Sequence, residues 1–238
     1  MLIVPQNWAE NVADVRSRIT SAALEAGRDP THVTLVAVSK AQPLEAVRAV
    51  HALGVQDFGE NYPQEALPKI AALDREATNW HFIGQVQSNK TRPIATHFAW
   101  VHSIDRVAVA RRLSEQRPYH ASPLQVCLQV KLADEAGKAG VVPDSLTALA
   151  EEVANLERLK LRGLMCLPPP SADAKSQRSM FRRLHELRDE LNSAGHRLDV
   201  LSMGMSGDFE AAIAEGATHV RIGTAIFGAR PVSRKRQI

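Results

Sequence analysis

Apolar residues fall in two rhythms along this chain. Trp8, Val12, Val15, Ile19 and Ala22 recur at spacings of four and three, which predicts an amphipathic helix over 7–26. Asn7 can cap it, with Glu10 three residues on, and Gly27 can end it. From Val33 to Ser39 the pattern changes to a nearly unbroken apolar run, as in a strand buried on both faces of a parallel sheet. Lys40 ends the run, Pro43 opens a helix to Leu53, and Gly54 stops it. The alternation then repeats. Strands are predicted at 55–58, 80–83, 100–102, 124–130, 159–165, 198–201 and 218–222. Helical segments follow near 62–73, from Ser88, at 105–117, 144–156 and 174–194, and briefly after Asp208. Gly59, Glu60 and Asn61 read as the turn after the second strand.

Eight strands alternating with helices fit the arithmetic of a single TIM (β/α)8 barrel, whose typical length is about 250 residues. A doubly wound open sheet is the alternative. Residues 223–238 are too few for a long eighth helix, so the N-terminal helix (1–27) is expected to fill part of the outer ring. No linker breaks the pattern, and the chain reads as one domain, 1–238, with a short basic tail at 232–238.

Composition changes this picture little. The chain has 238 residues, 45% hydrophobic and 23% charged, which is ordinary for a globular domain. The net charge of +3 comes from basic residues, mostly arginine, spread along the sequence. With only 5% aromatics there is no aromatic-interleaved basic stripe, so charge does not point to nucleic acid, and Arg234, Lys235 and Arg236 read as a solvated end. Cys127 and Cys166 lie in apolar runs without metal-ligand spacing, as buried free thiols do. No signal peptide opens the chain and no apolar run reaches about 18 residues, so a cytoplasmic protein is expected.

The chemistry concentrates at strand ends. Leu201 to Asp208 and Val220 to Thr224 read as strand and tight turn, twice, each turn rich in small residues and opening a helix. Unpaired N–H groups at helix starts attract phosphate; ordinary βα turns that use glycine for its backbone freedom would look the same. In a TIM barrel the active end is where strands run into βα loops, with phosphate often bound after strands seven and eight. Lys40 ends strand one, the neighbour of strand eight once the barrel closes. An amine beside a phosphate cradle suits an aldehyde phosphate held as a Schiff base, because burial lowers a lysine's pKa and frees its nucleophilic form. The plainer alternative is a surface lysine in a salt bridge.

The motifs AVSK (37–40), FGENY-x-QE (58–65), WHFIGQ-x-QSNK (80–90), VHSID (101–105), RGLM (162–165), LSMGMSGD (201–208) and VRIGTAIFG (220–228) together resemble the pyridoxal phosphate homeostasis proteins (the YggS-like group), which share the barrel of alanine racemase. The resemblance runs in order over nearly the whole chain. It implies pyridoxal 5'-phosphate (PLP) on Lys40, phosphate contacts from Ser206, Gly223 and Thr224, Arg221 facing the pyridine nitrogen, and Asn61 with the Ile83–Gly84 turn near the ring. Each assignment has a plainer counterpart. Ser206 could cap its helix, Arg221 could pair with Asp208 or Glu60, and Asn61 could cap the next helix. Met203 and Met205 suit packing, Glu60 and Asp105 structural charges or caps, and His81 and His102 satisfied barrel histidines. The chain departs from the family at Lys131–Lys138, at Pro63 and in the Pro-rich stretch Cys166–Pro170, all at the barrel mouth.

PLP enzymes that stabilise carbanions place an acid at the pyridine nitrogen. An arginine there keeps its proton, which weakens the electron sink. The only tyrosines, Tyr62 and Tyr119, stand at a helix start and before a strand, and no second domain supplies a second base. The resemblance therefore implies a monomeric PLP carrier or buffer without catalytic residues, with PLP-dependent apoenzymes or PLP-producing enzymes as partners. A weak PLP-dependent racemase is the alternative. A cofactor-free Schiff-base aldolase is the third reading.

Overall fold

The computed structural model describes residues 7–73, 77–133, 139–169 and 174–229. The basic tail, Lys138 and Pro170 lie outside these residues. The elements run in the order α1 (Trp8–Glu25), β1 (Thr34–Val38), α2 (Leu44–Ala52), β2 (Asp57–Glu60), α3 (Pro63–Ala72), β3 (Asn79–Phe82), α4 (Thr91–His97), β4 (Trp100–Ile104) and α5 (Val107–Gln116). They continue as β5 (Leu124–Gln129), α6 (Leu146–Ala154), β6 (Leu159–Met165), α7 (Ala174–Ser193), β7 (Val200–Ser202), α8 (Phe209–Ala214), β8 (His219–Ile222) and α9 (Thr224–Phe227). The strands form a closed parallel barrel in sequence order, sealed where Val36 of β1 pairs with Arg221 of β8. This is the TIM barrel the strand count predicts; the open sheet is excluded by closure.

Most of the apolar core lies between the barrel and its helices. The barrel interior holds a separate small cluster, Trp100, Cys127, Met165 and Val200. Among the described residues no helix is long and apolar enough to cross a membrane.

Helix α1 takes the outer-ring place that the short α9 leaves open. Val12, Val15, Ile19, Ala22 and Ala23 are buried, and Asn11 Nδ2 donates to Ile226 O of α9 at 2.9 Å. Arg28 ties the end of α1 to the α8–β8 turn through Ile213 O (2.7 Å) and Ala217 O (2.8 Å). Asn7 Oδ1 accepts from Glu10 N, and Gly27 takes φ 67°, so both ends follow the sequence.

Most boundaries shift by a residue or two, and two differ in kind. β2 begins at Asp57 and includes Gly59 and Glu60, which the turn composition assigns to a loop. Laddering to both neighbours holds them extended, with Val38 opposite Gly59 and Glu60 opposite Phe82. A side chain at 59 would press on Ile83 Cδ1 at 3.1 Å and Val36 Cγ1 at 3.2 Å, so glycine serves inward packing there. The helix expected from Ser88 opens as a 3-10 turn (Ser88–Lys90) before α4.

Candidate functional site

Strand direction and strand phase build the site. All strands are parallel, so their C-terminal ends open one mouth. Lys40, two residues beyond β1, stands half-buried there. The backbone turns at Ala41, which adopts φ 60°, a left-handed conformation that costs a side-chain-bearing residue about 1–2 kcal/mol. Glu65 on α3 supports that turn by accepting from Ala41 N at 3.0 Å.

A cavity of about 270 Å³ opens beside Lys40. Asn61, Ile83, Ser206, Arg221, Gly223 and Thr224 line it with Lys40, Val38, Leu167, Met205 and Gly207. Seven of the eight predicted residues thus share one wall system. The eighth, Gly84, lines an adjoining chamber that shares Asn61, Ile83 and Leu167 with the first. Gly84 is required sterically, since a Cβ there would lie 2.4 Å from Asn61 O.

The plainer alternatives can be read residue by residue. Asn61 does not cap α3: that helix opens at Pro63, and no side chain caps it. Asn61 Oδ1 is instead buried without a hydrogen-bond partner at the cavity wall. Ser206 does not cap α8 either; its Oγ accepts from Ala225 N of α9 at 3.3 Å, which joins the two small-residue turns. Arg221 pairs with neither Asp208 nor Glu60. Its two terminal nitrogens donate to Ser202 Oγ (2.6 Å) and Cys166 O (2.8 Å), and burial pulls the guanidinium down from its ordinary value. Asp208 accepts from Met205 N at 2.5 Å and holds the turn after β7. Gly204 makes that turn possible at φ 92°, with Phe209 Cα only 2.9 Å from where a Cβ would stand. Met203 is core and Met205 is cavity wall. Both thiols are buried and unbridged, and burial pushes each up to about 12.

Two supporting groups escape the sequence reading. Behind Lys40, in the layer between barrel and helices, Lys69 Nζ of α3 donates to Ser39 O (2.8 Å) and Glu60 Oε1 (2.7 Å). Ser39 Oγ donates to the same Glu60 oxygen at 2.7 Å, and burial raises the Glu60 carboxyl against the pull of Lys69. Beneath Arg221, inside the barrel, Ser202 Oγ meets His102 Nδ1 at 2.7 Å, His102 Nε2 meets His81 Nδ1 at 2.9 Å, and His81 Nε2 meets Asp57 Oδ1 at 2.9 Å. The histidines are satisfied barrel residues, as expected. Burial first, then the neighbouring charges of His81, His219 and Arg221, hold His102 well below the usual imidazole value. The signal for this chain was present: counting every second residue down from Arg221 and across the strands puts Ser202, His102, His81 and Asp57 on the inward phase.

The alanine racemase N-terminal domain family matches residues 5–231. The pyridoxal phosphate homeostasis protein of Pseudomonas aeruginosa is 60% identical over 222 residues, covering 93% of this chain and 95% of that protein. The protein of the same name from Escherichia coli K12 is 46% identical over 95% of this chain and 98% of its own length. Among solved structures, PipY of Synechococcus elongatus with PLP bound superposes with a TM-score of 0.79 at 39% identity, covering 90% of this chain and all (100%) of that one. Alanine racemase of Clostridium difficile shares the fold at 14% identity and a TM-score of 0.74, with this chain covering 58% of it. The chain belongs to the alanine racemase N-terminal domain family and, within it, to the pyridoxal phosphate homeostasis proteins.

Proposed function

We propose that the protein binds PLP at the barrel mouth through a Schiff base on Lys40 and serves intracellular PLP homeostasis as a holder or carrier, not as an efficient catalyst. The observation that carries this reading is the single cavity shared by Lys40, the two small-residue turns and Arg221. The residues present fit the group. Asn61 Oδ1 is a buried polar atom still owed a partner, and a ligand beside it would supply one. Ser206, Gly223 and Thr224 gather where β7 and β8 end, the usual phosphate position of this fold. PLP would bring an aldehyde, which condenses with an amine and releases water, and a ring that can accept electrons.

The roles of the chain's own residues follow. Lys40 provides the amine and the Ser206–Thr224 turns hold the phosphate. Arg221, locked from beneath, presents a donor that keeps its proton, so the ring nitrogen facing it is left without one. That arrangement favours holding the cofactor over carbanion chemistry. Neither tyrosine lines the cavity, and both are exposed, Tyr62 at 57% and Tyr119 at 95%, so neither is placed as a second base.

The test is the visible spectrum of protein incubated with PLP, followed by borohydride reduction and peptide mass mapping. A yellow protein whose pyridoxyl adduct maps to Lys40 is expected, with Lys40→Ala losing both signals. A colourless protein without adduct refutes the reading. Exchange of solvent deuterium into amino acids at Cα separates holder from enzyme: slow exchange is expected, and rapid exchange establishes the racemase alternative. A cytoplasmic monomer with PLP-dependent apoenzymes or PLP-producing enzymes as partners belongs to the same proposal; sedimentation and cell fractionation read the first two properties.

A further inference from the structure

We propose that Ser202, His102, His81 and Asp57 form a one-way hydrogen-bond relay through the barrel that positions Arg221, making these four positioning residues for the ligand at the mouth. The inference rests on the reading of Arg221 as a residue facing the PLP ring.

The geometry is continuous. Four links join Arg221 to Ser202 (2.6 Å), Ser202 to His102 (2.7 Å), His102 to His81 (2.9 Å) and His81 to Asp57 (2.9 Å). Ser202, His102 and His81 have no exposed surface and Arg221 has 3%, so the inner links are shielded from bulk solvent. Ring packing fixes the imidazole planes. His81 stacks on Trp100 at 5.5 Å and 9°, and His219 packs edge-on against His102 at 5.9 Å.

Proton bookkeeping sets the direction. A guanidinium only donates, so Arg221 spends a lone pair of Ser202 Oγ. With both imidazoles neutral and the carboxylate ionised, one arrangement alone puts a single proton in every link. The Ser202 hydroxyl donates to His102 Nδ1, His102 Nε2–H donates to His81 Nδ1, and His81 Nε2–H donates to Asp57. The reverse order would face a bare His81 nitrogen against a carboxylate. Two groups agree with this assignment: His102 lies well below the imidazole range, as a neutral ring does, and Asp57 is held below the ordinary carboxylate value, against the cost of its own burial, by the hydrogen bonds it accepts. The other charged or titratable side chains around the chain are His219, Arg162 and Asp199 at the foot and Cys127, Cys166 and Asp208 above.

Such a chain needs an explanation beyond stability. Barrel interiors of this fold are usually layered with Val, Ile and Leu, and apolar groups of similar volume often stabilise as well as buried polar sets. Among the described residues no carboxylate hydrogen-bonds Arg221; its other acceptor is the neutral carbonyl of Cys166. The relay supplies what is missing, a fixed acceptor polarised toward a carboxylate at the opposite end of the barrel. Asp57 sits at the wet end, its side chain 22% exposed, lining a groove of about 380 Å³ at the barrel foot.

That exposure makes Asp57 the place to test the relay without disturbing the core. The cofactor-free protein is examined by two-bond 1H–15N spectra of its histidines. His81 and His102 are both expected protonated on Nε2 with bare Nδ1. Asp57→Asn, whose carboxamide oxygen still accepts, preserves the pattern, and Asp57→Ala releases it. A proton on Nδ1 of either ring in the unaltered protein, or a pattern indifferent to Asp57→Ala, overturns the relay. PLP titration then reads the coupling. Ser202→Ala is expected to weaken PLP binding about tenfold and Asp57→Ala about threefold, with the double variant no weaker than Ser202→Ala alone. Losses that multiply in the double variant, or an Asp57→Ala protein that binds PLP unchanged, overturn the positioning role. If the unaltered protein takes up no PLP, the function proposed above fails, while the tautomer spectrum still decides the relay.

Discussion

The ion pair behind Lys40 makes the sharpest energetic prediction. Lys69 reaches from α3 to the last residue before Lys40, and its ammonium has two partners, Ser39 O and Glu60 Oε1. Lys69→Met keeps the apolar stem and deletes the charge. Glu60, with no exposed surface, would then keep one donor, the Ser39 hydroxyl, and its Oε2 already has no hydrogen-bond partner. Breaking a buried pair by removing one partner costs about 3–5 kcal/mol, because the remaining charge is left uncompensated. The folded protein can recover part of this loss by protonating Glu60, whose carboxyl burial already raises.

That recovery fixes a pH dependence. A folded carboxyl raised above its unfolded value binds protons that the unfolded chain does not, so stability falls as pH rises from the unfolded value of about 4.3 to the folded one. Within that window the slope is about 1.4 kcal/mol per pH unit. Urea unfolding of Lys69→Met at about pH 5.5 and about pH 8 should therefore show the larger loss at the higher pH. The double variant Glu60→Gln, Lys69→Met should regain most of it at about pH 8. A loss under about 1 kcal/mol at the higher pH, or equal losses at both, would refute the claim that Glu60 is a buried charge dependent on Lys69.

Three further outcomes are expected. Gly84→Ala must push Asn61 away from a Cβ 2.4 Å from its carbonyl oxygen, costing about 1–3 kcal/mol and weakening PLP binding; unchanged binding would separate Asn61 from the site. His102 and His219, the latter held at about 3 by burial, stay neutral in the folded protein while the unfolded chain takes up protons, so stability should fall below about pH 6.5 by up to about 1.4 kcal/mol per pH unit for each; His219→Gln should remove one histidine's share, and an unaltered slope contradicts its burial as a neutral ring. Removing residues 1–26 strips five buried side chains of α1 from α8 and α9 and should lower the thermal midpoint sharply, whereas an unchanged midpoint would show that α1 does not complete the outer ring.

The barrel was legible because its strands are short apolar runs, such as 33–39, separated by helices with their own period. β2 was misplaced because Gly59, Glu60 and Asn61 have turn composition, and only ladder partners on both sides make Gly59 and Glu60 strand. The mouth residues could be found because each stands at a strand end within a recognisable motif. The groups beneath them could not be found that way. Lys69 serves Ser39 from 30 residues away, and His102 meets Ser202 across 100. Such contacts arise from closure of the barrel, and within one motif each partner looks like an ordinary helix lysine, strand serine or barrel histidine.

This division has a consequence for how the site tolerates change. Lys40 and Arg221 are both secured from behind: one through the Ser39–Glu60–Lys69 set in the outer layer, the other through Ser202 and Cys166 O in the barrel interior. Neither anchor uses a side chain from the loop after β5 or from the Pro-rich stretch after β6. Pro168 and Lys131 line only the adjoining chamber, while Leu167 lines both chambers and Cys166 O holds Arg221. Substitutions at Pro168 or Lys131 can reshape what enters the mouth without moving the amine or the guanidinium. Substitutions at Lys69 or Ser202, neither of which is itself a predicted ligand contact, should disturb the site more than most replacements in the loops that surround it.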